Sequence, residues 1–418
     1  MEKTPKGNRL HVALMGRTNV GKSSLLNLMT GQDIAITSPI AGTTTDIVEK
    51  AMELLPLGPV LFLDTAGLDD VSELSEARLK KTRKVFERAD VIILVAEPDI
   101  WTDYEESVLI ESQNHKIPLL IVVNKIDLRQ PSPGHLNFLQ QKSKRILTVS
   151  CNDQTERQNY LEALKQQLLE IAPPDFIGTP SLIGDLLPPG GLAVLVIPID
   201  LQAPKGRLIL PQVQTIRDAL DNDAMTLVVK ERELSAALAN LKNPPAIVVT
   251  DSQAILKVTA DVPKDIPVTT FSILFARQKS DLASMARGTA AIDNLKPGDR
   301  ILIAEGCTHH ELEDDIGRVK IPRWLRQYVG GDLQIDIFSG RDYPEELNQY
   351  KLILHCGGCM INRREMLSRL RQAQEAGVPV TNYGVAISFL QGVIRRSLAP
   401  FPSALLAFED EMKAKKER

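Results

Sequence analysis

Residues 16–23 read Gly-Arg-Thr-Asn-Val-Gly-Lys-Ser, after the apolar run LHVALM and opening the helical pattern Lys22 to Thr30. This glycine-rich turn, GxxxxGKS between a strand and a helix, constrains the fold more than any other feature of the chain. The glycines let backbone amides wrap a polyphosphate, the Lys22 ammonium offsets its charge, and the Ser23 hydroxyl, followed by Ser24, is placed to ligate Mg²⁺. Gly16, Asn19, Val20, Gly21, Lys22, Ser23 and Ser24 are therefore candidate nucleotide-binding residues. The runs that follow, VLFLD, VIILVA, LLIVVNK and ILTVS, alternate with helical patterns such as Glu73 to Arg88 and Glu156 to Ile171. That alternation predicts a parallel α/β sheet covered by helices on both faces.

Three further motifs define a nucleotide pocket. Asp64-Thr65-Ala66-Gly67 follows the strand VLFLD, so Asp64 suits a carboxylate near Mg²⁺ and the Gly67 amide suits a sensor of the γ-phosphate. Asn124-Lys125-Ile126-Asp127 ends LLIVV, and its Asp127 carboxylate can accept from guanine N1–H and the 2-amino group, which adenine lacks; GTP is preferred over ATP. Gly42-Thr43-Thr44-Thr45-Asp46 lies where a switch threonine completes the Mg²⁺ shell, Thr44 first by position and Thr43 next. Ser150-Cys151 fits the loop that backs the base. Lys22, Ser23, Thr44, Asp64 and Gly67 form the candidate catalytic set.

The chain is long enough, at 418 residues, for two or three domains of ordinary size. The Pro/Gly-rich stretch 173–190 reads as a linker between a first domain, 1–172, and two later α/β blocks, 191–270 and 271–418. A net charge of −4 and the absence of a basic run outside the tail Lys413 to Arg418 disfavour nucleic acid as main partner. The start lacks an apolar signal core and no apolar run approaches bilayer length, so the expectation is a cytoplasmic protein without membrane segments.

Three of the four cysteines, Cys307, Cys356 and Cys359, and three of the six histidines, His309, His310 and His355, fall in two late windows, CTHH and HCGGC. Thiolates two residues apart around Gly-Gly can turn toward one metal ion or cluster. A closed Cys₃His zinc site and a three-cysteine [4Fe–4S] cluster both satisfy this pattern. Cys307 and Cys356 each follow an expected strand, so the two windows are placed to converge outside the C-terminal ends of a parallel sheet. His309 and His355 are candidates for a fourth ligand or for orienting groups; His310, Glu311, Glu313 and Asp314 read more simply as loop and helix-start residues.

GRTNVGKS, GTTTD, DTAG and NKID together resemble the translation-factor-related GTPases of the Era and TrmE type over about Arg9 to Ala172. The chain departs from them at Thr45, where arginine is usual. Leu68 stands where Ras-like proteins place a water-orienting glutamine, which implies slow intrinsic hydrolysis. In TrmE-type relatives the P-loop asparagine helps bind K⁺, so Asn19 is a K⁺ candidate or, equally, a turn residue. With CxH and HCxxC added, the whole chain resembles the HydF family of [FeFe]-hydrogenase maturation GTPases. That resemblance implies a [4Fe–4S] cluster on Cys307, Cys356 and Cys359, a dimerising middle domain, and a scaffold or carrier role for a diiron precursor. Implied partners are a second copy, the hydrogenase apoprotein and the radical-SAM maturases HydE and HydG. The competing readings are an RNA-modification or ribosome-assembly GTPase with a zinc-bound accessory domain, and a redox enzyme, for which no flavin or nicotinamide fingerprint exists.

Overall fold

The computed structural model describes residues 4–30, 48–65, 76–177, 180–198, 208–306, 315–340 and 343–416. The chain forms two compact units, Met1–Thr179 and Pro180–Arg418.

The first unit holds one six-stranded sheet in the order β2-β3-β1-β4-β5-β6. Its strands are β1 (Leu10–Met15), β2 (Val48–Leu54), β3 (Gly58–Asp64), β4 (Val91–Ala96), β5 (Leu119–Val123) and β6 (Ile146–Thr148). Every residue of β1 and β4 is buried, as expected for central parallel strands covered on both faces. All pairings are parallel except β2 with β3, an antiparallel edge whose VEKAMEL sequence mixes charged and apolar residues and was not anticipated as a strand. The helices Asp103–Asn114 and Pro133–Lys142 are also additions to the expected elements. Each carries a legible start: a capping box between Thr102 and Glu105, and Ser132 before Pro133.

The second unit contains two all-parallel four-stranded sheets. One runs β10-β9-β7-β8, from β7 (Leu192–Val196), β8 (Met225–Val229), β9 (Ile247–Thr250) and β10 (Val268–Thr270). The other runs β12-β11-β13-β14, from β11 (Arg300–Glu305), β12 (Gln334–Ser339), β13 (Leu352–His355) and β14 (Val380–Asn382). The helix Phe271–Lys279 leaves β10 directly, with the Thr270 hydroxyl accepting from the Ile273 amide as its cap. Its Phe271, Ile273, Leu274 and Phe275 lie in one core with Leu195 and Val249 of the first sheet and Met366 and Val385 beside the second. The expected boundary at 270/271 thus falls at the helix through which both sheets share a core. The architecture matches the expected class: a P-loop domain followed by further α/β structure with mainly parallel sheets.

Candidate functional site

The phosphate cradle forms between β1 and the helix Lys22–Thr30. Gly16 adopts φ +151° and Gly21 φ +98°, conformations that side chains rarely adopt. A Cβ on Gly16 would run into the Val95 carbonyl, and one on Gly21 into the Asn124 amide, so only hydrogen atoms fit at these points. Lys22 is buried, and its ammonium donates to the Gly16 carbonyl and, at 3.0 Å, to the Arg17 carbonyl, which holds it across the loop. Ser23 and Ser24 lie in the first turn of the helix, and Asp64 is buried at the end of β3. Asn19 sits at φ +63°, a left-handed turn position that asparagine tolerates; backbone geometry alone gives a reason for its presence.

The NKID segment and the Ser150–Cys151 pair meet this loop. The Asn124 side-chain amide donates to the Val20 carbonyl at 3.0 Å and its oxygen accepts from the Cys151 amide at 3.1 Å. Ser150 donates its hydroxyl to Asp127 at 2.7 Å, which orients the carboxylate proposed to read guanine. Burial pushes the Cys151 thiol up to about 12, with the Asp127 charge adding and Arg157 opposing, so this cysteine is a neutral packing group. Thr43, Thr44, Thr45, Gly67 and Leu68 lie outside the described residues.

Sequence reading missed the ionic frame around the pocket. Arg17 donates to Glu105 at 2.7 Å and pairs with Glu97 at 3.5 Å, and Glu97 also accepts from Lys125 at 2.6 Å. One carboxylate thereby links the Gly16–Ser23 loop to the NKID segment. Glu105 is fully buried and held by its capping box, which also accepts the Thr102 amide at 2.9 Å. The Thr-x-x-Glu spacing was the available signal; its partner Arg17, 88 residues away, was not.

In the second unit the C-terminal ends of β11, β13 and β14 converge. Ala304 pairs with His355 and His355 with Asn382, and the next residue after β13 is Cys356. The Cys356 sulfur accepts the Gly306 amide at 3.0 Å and the Gly358 amide at 3.4 Å. Gly358 turns at φ +65°, bringing its N–H back over the sulfur. Cys356 and Cys359 are free thiols. Burial pushes the Cys356 thiol up against the pull of these two amides, and burial, with the Cys356 charge adding and Lys279 opposing, pushes Cys359 up to about 11. Amide donors aimed at a sulfur and a glycine turn between two thiols fit a metal–thiolate centre, since metal binding removes the thiol protons and the amides then stabilise the charge. Among the described residues no group of three or more metal-ligating side chains is assembled. Cys307, His309, His310, Glu311, Glu313 and Asp314 lie outside them.

His355 is engaged at both nitrogens. Nδ1 lies 2.9 Å from the Cys356 carbonyl and Nε2 3.1 Å from Arg369, which fits a ring donating through Nδ1–H and accepting at Nε2. Burial first, then the Arg369 charge, lowers its pKa to about 3 against the pull of the Cys356 carbonyl, so it is neutral near pH 7. Arg369 is in turn held by the Gly340 carbonyl at 2.7 Å and Glu365 at 3.0 Å. This arrangement suits an orienting group behind the Cys356 backbone better than a metal ligand.

Family models described as the hydrogen maturase F dimerization domain and tetramerization domain match residues 182–280 and 283–400, more than half of the chain together. The chain belongs to the hydrogen maturase F family. A third model, described as a 50S ribosome-binding GTPase, matches residues 11–125, so a GTPase domain precedes the two maturase domains. Curated relatives of this GTPase domain include the tRNA modification GTPase MnmE of Bordetella parapertussis, 37% identical over 39% of this chain and 34% of that protein. The MnmE of Prochlorococcus marinus is 46% identical over 28% of this chain and 26% of that protein. The chain thus spans about a third or less of the length of these relatives. Among solved structures, Era of Aquifex aeolicus aligns over 79% of this chain and 92% of its own at 18% identity and TM-score 0.32. The G domain of the T. maritima FeoB iron transporter aligns over 39% and 98% at 24% identity and TM-score 0.30. No functional statement follows from likeness at that level. Among the described residues no helix is long and apolar enough to cross a membrane.

Proposed function

We propose that this member of the hydrogen maturase F family is a slow GTP hydrolase that carries a [4Fe–4S] cluster on Cys307, Cys356 and Cys359. In this reading it serves as scaffold or carrier for the diiron precursor of the [FeFe]-hydrogenase active site. Its partners are a second copy, the apo-hydrogenase and the radical-SAM maturases HydE and HydG. The observation that carries the metal part is the pair of amides, Gly306 and Gly358, aimed at the Cys356 sulfur. A cluster held by three thiolates leaves one iron open to a weaker ligand such as His309, a carboxylate or water, and so open to exchange. GTP with Mg²⁺ would be held by Gly16 to Ser24, Asp64, Asn124, Asp127 and Ser150, with Thr44 and Gly67 completing the set and K⁺ at Asn19 as an accessory. The test is anaerobic reconstitution with iron and sulfide, followed by iron, sulfide and zinc analysis and EPR of the reduced protein. About four irons per chain with a cubane signal supports the reading; stoichiometric zinc without sulfide overturns it.

The second reading, an RNA-modification or ribosome-assembly GTPase with a zinc-bound accessory domain, draws on the MnmE relatives, whose similarity is confined to less than two fifths of the chain. Tight tRNA binding by the full chain would favour it.

Base selection gives a separate expectation. Asp127→Asn should weaken GTP binding by at least about a hundredfold and shift preference to xanthosine nucleotides, because two charge-assisted hydrogen bonds to the guanine edge are lost. Competition titration reads the result, and unchanged GTP affinity removes Asp127 from the base site.

Self-association has a physical candidate in the middle block. β8 is the edge of its sheet, with Met225 and Val228 exposed, and Val213 and Leu220 are exposed seven residues apart on the adjacent helix Leu210–Asp221. Changing Met225 and Val228 together to lysine should lower the light-scattering mass of the full chain to roughly half or less, since charges on an edge block strand addition. An unchanged mass places the interface elsewhere.

A further inference from the structure

Lys279 is the last residue of the helix Phe271–Lys279 and is 3% exposed. Its ammonium donates to the Ile361 carbonyl at 2.7 Å and reaches the Cys359 carbonyl at 3.5 Å. The same helix lies against the start of the loop: a Cβ on Gly357 would stand 3.4 Å from Phe275 Cβ and 3.7 Å from the Ser272 hydroxyl. Arg363, just past the loop, donates back to the Gln278 carbonyl at 2.6 Å. One helix therefore braces the segment from Gly357 to Ile361 along its length. Burial lowers the pKa of this ammonium, and among the described residues the acidic groups whose charges oppose that are Cys359, Glu365 and Cys356; Glu365 also pairs with Arg369 at 3.0 Å.

Burying an ammonium is costly, and a methionine of similar length would fill the same space without that cost. The carbonyl contacts to Ile361 and Cys359 help to hold the charge in place. Two thiols on the loop that it holds supply a reason for a charge here, because metal binding converts them to thiolates in a setting where water screens little. We propose that Lys279 is the buried countercharge of the metal centre on the Cys356–Cys359 loop, holding the loop through Cys359 and Ile361 and raising the reduction potential of the cluster bound there. This inference rests on the cluster reading above. Lys279 acts through the loop backbone and its field, so it is a positioning residue and takes no part in ligation. Net charge and burial around a cluster are among the protein's main controls on its potential.

The test uses the full chain, reconstituted anaerobically with iron and sulfide, as parent, Lys279→Arg and Lys279→Gln. Glutamine keeps a hydrogen-bond donor and drops the charge; arginine keeps the charge. Iron and sulfide content is measured first, then the midpoint potential by EPR-monitored titration. The expected result is parent-like iron in all three, with Lys279→Arg near the parent potential and Lys279→Gln more negative. At the parent's midpoint, Lys279→Gln should show on the order of a tenfold lower ratio of reduced to oxidised cluster, from a unit charge acting across a few ångströms. Loss of iron from Lys279→Gln alone, rescued in Lys279→Arg, also supports a charge requirement. A Lys279→Gln potential equal to the parent's, or equal loss of iron from both variants, overturns the proposal by reducing Lys279 to a shape requirement. A parent that takes up no iron defeats the cluster reading itself, which separates the two failures.

Discussion

Replacing Cys356 by serine is expected to strip most of the iron from the anaerobically reconstituted chain. The Cys356 sulfur is where two backbone donors, Gly306 at 3.0 Å and Gly358 at 3.4 Å, already point. A serine oxygen is harder, binds closer to its carbon, and keeps its proton where a thiolate forms readily, so it replaces neither the soft ligand nor the acceptor those amides address. Cys359→Ser and Cys307→Ser should behave alike if the three thiolates act as one set. Cys151→Ser supplies the control, because its thiol is buried in the first unit and engaged in packing. Iron and sulfide analysis decides the matter, and parent-like iron in Cys356→Ser would move the centre off this loop. The functional extension is activation of an apo-hydrogenase: the cluster-free protein activating it as fast as the parent would end the carrier mechanism.

Lys22→Ala should reduce GTP hydrolysis by at least about a hundred- to a thousandfold, the scale set by removing one preorganised charge from a reacting phosphoryl group. The buried ammonium is held between the Gly16 and Arg17 carbonyls, so its position is prepared before any ligand arrives. Alanine leaves that space without a cation opposite the β- and γ-phosphates. The iron content of the same variant should equal the parent's, because the two compact units have separate cores. Phosphate-release kinetics and iron analysis on one preparation test both halves. Retained hydrolysis would remove Lys22 from the reaction, and lost iron would mean that the units depend on each other for stability.

Much of the nucleotide pocket could be read from residue order because its geometry is local. GxxxxGKS dictates its own backbone path, and uninterrupted runs such as LHVALM and VIILVA announce strands buried on both faces. NKID and the Ser150–Cys151 pair were also legible, since each follows the end of a recognisable strand. The antiparallel β2 was not, because VEKAMEL has the mixed pattern of an edge and becomes a strand only by pairing with β3. The bridge from Glu97 to both Arg17 and Lys125 was likewise hidden. It joins three segments whose distances in sequence carry no period.

The cysteine windows divide in the same way. Spacing alone determined that Cys356 and Cys359 flank a Gly-Gly turn and that both windows follow strands, which points to thiolate ligation of a metal and leaves zinc and an iron–sulfur cluster both open. Tertiary structure decided the rest. The parallel register of β11 on β13 puts the Gly306 amide, 50 residues away, on the Cys356 sulfur. The packing of a helix 80 residues upstream puts Lys279 beneath Cys359. His355, readable as ligand or as orienting group, has both ring nitrogens occupied, by the Cys356 backbone and by Arg369. The physical reason is common to all three: side-chain type and short spacing encode which atoms can bind, whereas burial and strand register decide which charges and amides meet them.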